Sequence, residues 1–270
     1  MKIDCAFVER VLCAFLREEL GKAGFRKGIL GLSGGLDSAV SAALAARALG
    51  PNNVLGLILP YGRAFSGEVK DAQDLAGRLK IRSRVLDISP MVDAYFRLVP
   101  TLNRTRKGNK MARERMSILY DFSAREKALI IGTSNKTELL IGYGTLHGDL
   151  ACAVNPLGDL YKTQVRMMAA HLRLPEKFLR KKPTAGLWLG QTDEGEIGLR
   201  YEELDRILYC LVDLRQSRAE VIAQGFDRAK VERILALIKK SQFKRCLPPI
   251  AKISVRTIGH DFLYPYDWGR

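Results

Sequence analysis

Residues 28–38, GILGLSGGLDS, are an apolar run that ends in a serine, two glycines, an aspartate and a second serine. A strand that enters Ser33-Gly34-Gly35 and leaves into a helix beginning near Asp37 presents consecutive free N–H groups at a helix N-terminus. The glycines let a ligand approach the backbone, so the turn suits an anion. It lacks the lysine of a GxxxxGK[ST] loop and does not have GxGxxG spacing. A carboxylate beside bound phosphates repels them unless a divalent cation lies between, so Asp37 argues for Mg²⁺ with a polyphosphate. The alternative is a plain strand-to-helix turn in which Ser33 and Asp37 act only as caps.

Around this turn the chain alternates short β-type runs with helical segments. The first segment is amphipathic, with Phe7, Val11, Phe15 and Leu16 at helical spacing. SAVSAALAARALG, NVLGLILP, GEVKDAQDLAGRLK and SRVLDIS follow the turn, and a later strand, ALIIGT (128–133), follows the helix-like MARERMSILYDFSAREK. That order predicts an α/β fold, a parallel sheet flanked by helices. Residues 142–156 and 183–198 are glycine-rich and non-periodic, and loops of that length inside a domain are usually functional or disordered. Beyond Tyr201 the pattern is helical, in LDRILYCLVD and DRAKVERILALIKK. The expectation is one domain over 1–270, with an α/β core over about 1–200 and a helical C-terminal elaboration over about 201–270.

Bulk composition narrows the classes. The 270 residues carry a net charge of +15, concentrated in 97–115, 173–182 and 239–245. That excess fits an anionic partner or plain solubility. Those runs are nearly bare of the aromatics that stack on bases, which argues against nucleic acid. No apolar stretch approaches the roughly 18 residues of a membrane span, and the acid-bearing start is unlike a signal or transit peptide. Five cysteines without any CxxC and three scattered histidines argue against a disulfide framework and a structural zinc or iron–sulfur site, and make a reducing cytoplasm the simplest home.

SGGLDS resembles the pyrophosphate-binding loop (PP-loop) of the ATP pyrophosphatases, which cut ATP between its α and β phosphates. Four further stretches, GNKMARERMSILY (108–120), IIGTSNKTELLIGYGTLHGDLA (130–151), NPLGDLYKTQV (155–165) and KKPTAGLWLGQTDEGEIGLRYEELD (181–205), resemble consecutive motifs of the NAD synthetase family, in that family's order. The resemblance implies an adenine nucleotide alpha-hydrolase-like, Rossmann-like fold and a ligase of NAD biosynthesis. In such a reaction ATP adenylates the nicotinate carboxylate of deamido-NAD, releasing pyrophosphate, and ammonia displaces AMP. It also implies a homodimer, whose interface the apolar residues of the first helix and of the segment after Ala112 would supply if they are not monomer core.

Carried over by position, Gly31, Leu32, Ser33, Gly34, Gly35, Leu36, Asp37 and Ser38 would hold the ATP phosphates, with Thr133, Lys162 and Thr184 as further ATP contacts. Asp37 and Glu138 would hold Mg²⁺. Two acids so far apart in sequence meet if the strands ending at Ser33 and Thr133 are neighbours in the sheet. Arg113, Asp149 and Lys244 match deamido-NAD positions, the alternatives being a solvent-facing arginine for Arg113 and a loop-ordering role for Asp149. Asp37, Asp149 and Lys162 are the implied catalytic set, Asp149 as an acceptor of a proton from ammonium. Three positions depart from many ammonia-dependent members: Leu146 and Ala153 replace a lysine and an aspartate beside the Gly-Asp pair, and Phe243 stands before Lys244 where a histidine is usual. The loop begins too early in the chain to be preceded by a glutaminase domain, so free ammonia is the expected nitrogen donor, with a separate glutaminase subunit left open. The segment 183–198 is expected to be a mobile lid over ATP, and the aromatic tail 256–270 to pack on the core or on a partner subunit.

Overall fold

Strands inside a parallel sheet are buried on both faces and read as continuous apolar runs. VLGLI is such a run, and all five of its residues are buried. In the computed structural model, which describes residues 1–62, 66–184, 186, 188, 190–259 and 261–262, it is β2 (Val54–Ile58). It lies in a four-stranded parallel sheet with β1 (Lys27–Gly31), β3 (Arg82–Val85) and β4 (Ala128–Ile130), in the order β3-β2-β1-β4. The edge strand β3, RSRV, is exposed throughout, and its two arginines discourage pairing with another edge.

Alternate strand residues point to opposite faces. Leu30, Leu32, Val54 and Ile58 meet α1 (Cys5–Lys22), α2 (Leu36–Leu49), α3 (Ser66–Leu79), α7 (Lys162–His171) and α8 (Glu176–Arg180). Ile29, Leu55 and Leu57 meet α4 (Ser89–Leu98) and α5 (Arg104–Glu126) through Val92, Met111, Met116, Leu119 and Phe122. A third apolar cluster joins α6 (Lys136–Ile141) and Tyr161 to α9 (Asp193–Ile197), α10 (Tyr201–Leu208), α11 (Arg218–Ala223) and α12 (Arg228–Lys240). The expected C-terminal helices are thus packed on the end of the α/β layers.

β1 pairs with β2 on one side (Gly28 opposite Val54) and with β4 on the other (Lys27 opposite Ala128). The chain leaves β1 toward β2 but returns to its other flank as β4, so the order reverses between β1 and β4. A crevice opens beyond the strand ends at such a reversal. The expectation that the strands leading to Ser33 and Thr133 are neighbours in the sheet is met.

Local differences have local causes. The helix expected from about residue 111 begins at Arg104 because Asn103 caps it, accepting from the Arg106 N–H at 2.9 Å. Most of the basic run 97–115 therefore lies on helix. The segment 183–198 contains α9, capped by Thr192. Of the two candidate interface segments, Leu16 of α1 and Met116, Leu119 and Phe122 of α5 are core, whereas Phe7 and Val11 of α1 and Tyr120 of α5 are exposed; Met91, Tyr95 and Leu98 of α4, outside both segments, are exposed too. Residues 185, 187 and 189 of the expected lid, and 260 and 263–270 of the tail, lie outside the described residues. Among the described residues no helix is long and apolar enough to cross a membrane.

At Gly56 in β2 a Cβ would stand 2.2 Å from Leu32 Cδ1. Gly56→Ala should therefore lower unfolding free energy by about 1–3 kcal/mol through overpacking. Chemical denaturation measures it, and a double-mutant cycle with Leu32→Val should be non-additive.

Candidate active site

Gly31 ends β1, Leu32 is buried in the core, and the turn that follows is tied by hydroxyls. Ser33 and Ser38 Oγ atoms are 3.0 Å apart, Ser38 Oγ donates to the Gly35 carbonyl at 3.1 Å, and the Gly35 N–H points at Ser33 Oγ at 3.2 Å. Gly34 has φ +74°, and a Cβ there would lie 2.5 Å from the Glu68 carbonyl oxygen, so only glycine fits. Gly35 is the N-cap of α2 and brings no side chain to its first turn, which begins at Leu36. The amide donors there are thus left for a ligand.

Asp37 is not a cap. Its Oδ1 accepts from Asn135 Nδ2 at 2.9 Å and its Oδ2 from Lys162 Nζ at 2.5 Å. Lys162 also reaches Glu138 Oε1 at 3.3 Å. Asn135 and Glu138 form a capping box at the start of α6: Asn135 Oδ1 accepts from the Glu138 N–H at 3.0 Å, and Glu138 Oε2 accepts from the Asn135 N–H at 3.3 Å. Thr133, half-buried, lies in the turn just before it. Lys162 stands first in α7, where the helix dipole disfavours a cation. Its ammonium is compensated by carboxylates instead, and the Tyr201 ring sits 5.2 Å from it.

Asp193, from α9, is buried and accepts from Tyr143 Oη at 3.0 Å and Tyr201 Oη at 3.2 Å. Burial raises the Glu138 carboxyl above the usual range. Lys162 opposes that shift, while Asp37 and Asp193 add to it. Burial also raises Asp193, against the pull of Lys162. For Lys162 burial works against the charge, but Asp37 and Glu138 outweigh it and hold the amine protonated. Two acids thus contact one ammonium, and a third lies within its field. That excess of negative charge, with oxygen donors only, fits a hard divalent cation, and Mg²⁺ characteristically takes one or two carboxylates plus phosphate oxygens. Among the described residues no group of three His, Cys, Asp or Glu forms a metal cage by itself.

A second set converges on the loop 142–150. Asp149 accepts from the Thr145 N–H at 2.9 Å, and the protein packed around it raises its carboxyl although part of the side chain reaches solvent. Lys244 Nζ donates to the carbonyls of Gly142 and Gly144, both at 2.7 Å. Arg113, exposed, donates from Nε to the Leu146 carbonyl at 3.1 Å. The three expected deamido-NAD positions therefore converge on one loop, and Ser134 Oγ, 3.4 Å from the Asp149 carbonyl, links it to the turn that carries Asn135 and Glu138. Thr184 is exposed and its Oγ1 accepts from the Gly186 N–H at 3.1 Å, with no bond to the cluster among the described contacts.

Several residues at the site escaped sequence reasoning. Asn135 was legible, since N-x-x-E before an apolar run is a capping signal. Asp205 accepts from Thr137 Oγ1 at 2.6 Å and the Thr163 N–H at 2.8 Å, fixing the start of α7, and nothing local marks it. Arg115 is half-buried, with Nε on the Leu59 carbonyl at 2.9 Å; desolvation by the surrounding protein lowers its guanidinium to about 10, opposed by Asp149. Asp193 lies in a stretch read as loop.

A family model described as NAD synthase matches residues 8–248. The NH(3)-dependent NAD(+) synthetase of Trichlorobacter lovleyi is 50% identical over 270 residues, 100% of this chain and 99% of the relative. Among solved structures, one described as NMN synthetase from Francisella tularensis superposes with a TM-score of 0.82 at 33% identity, covering 93% of this chain and 99% of that one. An NH3-dependent NAD synthetase from Campylobacter jejuni, in complex with the nitrate ion, gives 0.80 at 33% identity, covering 93% and 100%.

The raised carboxyls set a pH dependence. A carboxyl whose folded pKa exceeds its unfolded value favours the fold while protonated. Stability should therefore fall as pH rises from the ordinary carboxylate range, about 4, through the raised folded values. Glu138→Gln should flatten that slope in metal-free protein and leave a residual slope from Asp149, Asp193 and Asp205, as read by thermal midpoints across the range.

Proposed function

This chain belongs to the NAD synthase family, and we propose that it amidates deamido-NAD to NAD with ammonia, consuming ATP and releasing AMP and pyrophosphate. The observation that carries this reading is the joining of Asp37, Glu138 and Lys162 beside an uncapped helix N-terminus, in a chain half identical over its whole length to an NH(3)-dependent NAD(+) synthetase.

A carboxylate is a poor acyl donor, and adenylation gives it a leaving group. The amides of Gly34, Gly35, Leu36, Asp37 and Ser38 take the phosphates of ATP, with Gly31 to Ser33 leading the backbone into the turn. Asp37 and Glu138 would hold Mg²⁺, which would supply charge neutralisation between carboxylates and phosphates. Lys162, already protonated, turns from its carboxylates toward the phosphate oxygens and stabilises charge leaving with pyrophosphate. Thr133 and Thr184 complete the ATP contacts. Arg113 and Lys244 shape the loop 142–150 and with it the deamido-NAD site. Asp149, whose raised carboxyl is a stronger base than an ordinary aspartate, takes the proton from ammonium so that neutral ammonia attacks.

The segment 183–198 closes over ATP. Its anchors support this: Trp188 lies under the Arg104 guanidinium at the start of α5, 5.5 Å from it, and Asp193 lies beside Lys162. We take residues 1–270 as one synthetase domain in a homodimeric, cytoplasmic enzyme that uses neither membrane nor nucleic acid. Five unpaired thiols and the exposed apolar residues of α1 and α4 support that placement.

With ATP, Mg²⁺, ammonium and deamido-NAD, the purified protein should form NAD and AMP in equal amounts. Glutamine should not replace ammonium, and the acid analogue of NMN should be the poorer acyl substrate. Preference for that mononucleotide would transfer the reading to the activity named for the Francisella structure. Asp37→Ala should lower turnover by at least about 100-fold. Light scattering should give twice the chain mass; a monomer would remove the homodimer.

A further inference from the structure

The turn between β1 and α2 is held from behind as well as by its own serines. Lys181, just after α8, donates from Nζ to the Gly34 carbonyl at 3.2 Å and pairs with Asp71 at 3.1 Å and Glu68 at 3.7 Å, both on α3. Asp71 is kept ionised against the cost of burial by Lys177 and Lys181. Gly34 meanwhile packs against the Glu68 backbone so closely that no Cβ fits. The ammonium is thus fixed from one side by α3 and spends a remaining donor on one carbonyl of the turn.

The Gly34 carbonyl and the Gly35 N–H belong to the same peptide, and in a trans peptide they point in opposite directions. With the carbonyl on Lys181, the N–H is aimed the other way, at Ser33 Oγ. Glycine on both sides makes rotation of this peptide unit inexpensive. Rotated, it would turn a carbonyl oxygen toward the anion in place of a donor. Removing Lys181 therefore exchanges attraction for repulsion at one point of the cradle.

We propose that Lys181 is a positioning residue for the pyrophosphate end of ATP: it holds the Gly34–Gly35 peptide so that the Gly35 amide faces the phosphates. This rests on the reading of the turn as the pyrophosphate cradle. Lys181 touches the substrate only through that peptide, so it acts on ATP and on released pyrophosphate and leaves the deamido-NAD side alone. Its neighbour Lys177 makes ion pairs with Asp71 and Asp74 on the same helix but, among the described residues, no bond to the turn, and serves as an internal control.

Steady-state kinetics and calorimetric binding of Mg-ATP and Mg-pyrophosphate to the full chain test this with Lys181→Met, Lys181→Arg and Lys177→Met. Lys181→Met should raise KM for ATP and weaken pyrophosphate binding by about tenfold each, the scale of one charge-assisted hydrogen bond. KM for deamido-NAD should stay within about twofold, Lys181→Arg should regain most of the loss, and Lys177→Met should match wild type for ATP. Unchanged ATP and pyrophosphate binding in Lys181→Met, or an equal loss in Lys177→Met, overturns the proposal. Should Lys181→Met not fold, Lys181→Gln, with a neutral donor, must give an intermediate loss; wild-type binding by it overturns the proposal equally. Because ATP and pyrophosphate binding are read without an acyl substrate, failure of wild type to make NAD would fall on the deamido-NAD reading alone.

Discussion

The contact on which the rest depends is that of the Lys162 ammonium with Asp37 and Glu138. A lysine buried to 3% of its side-chain surface, at the end of a helix that repels cations, exists only because carboxylates surround it. Losing one partner of a buried pair typically costs about 3–5 kcal/mol, because the other charge is stranded. The three residues come from α2, α6 and α7. Strand order brings α2 and α6 to the same edge of the sheet, and the hydrogen bonds of Thr137 and Asp205 set the first turn of α7 against them.

What could be read from the chain follows how local each cause is. The β1–α2 turn was legible because its chemistry lies within six residues, and the parallel sheet because apolar runs and helical periods alternate over long stretches. The start of α5 at Arg104 depended on a cap at Asn103 ahead of a polar first turn, where hydrophobic periodicity is silent. Asp193, Asp205, Arg115 and Lys181 act through partners tens of residues away or more, and nothing in their flanking sequence distinguishes them from surface charges. The motif match reached Arg113, which is exposed, yet within the same pattern it is Arg115 whose guanidinium the surrounding protein desolvates.

Charge is distributed unevenly. The chain carries an excess of 15 positive charges, yet the centre of the crevice gathers Asp37, Glu138 and Asp193 around one lysine. An acidic centre in a basic protein suits polyanionic substrates that arrive with a divalent cation. On the proposed reading, the long-range field would draw them in and the local field would place the cation between. On the same reading, no lysine is needed inside the turn, because backbone amides and a distant lysine would divide that work.

Asp205 lies outside the α/β layers, on α10, yet it receives the N–H of Thr163 and the hydroxyl of Thr137, and that hydroxyl in turn receives the N–H of Lys162. The C-terminal helices are therefore part of the scaffold that holds Lys162 and the proposed nucleotide site. The α/β layers could not be excised as a minimal catalyst or grafted beneath a different helical cap without carrying this aspartate along. Modularity in this architecture runs by hydrogen-bond closure, and its smallest unit extends at least through α10.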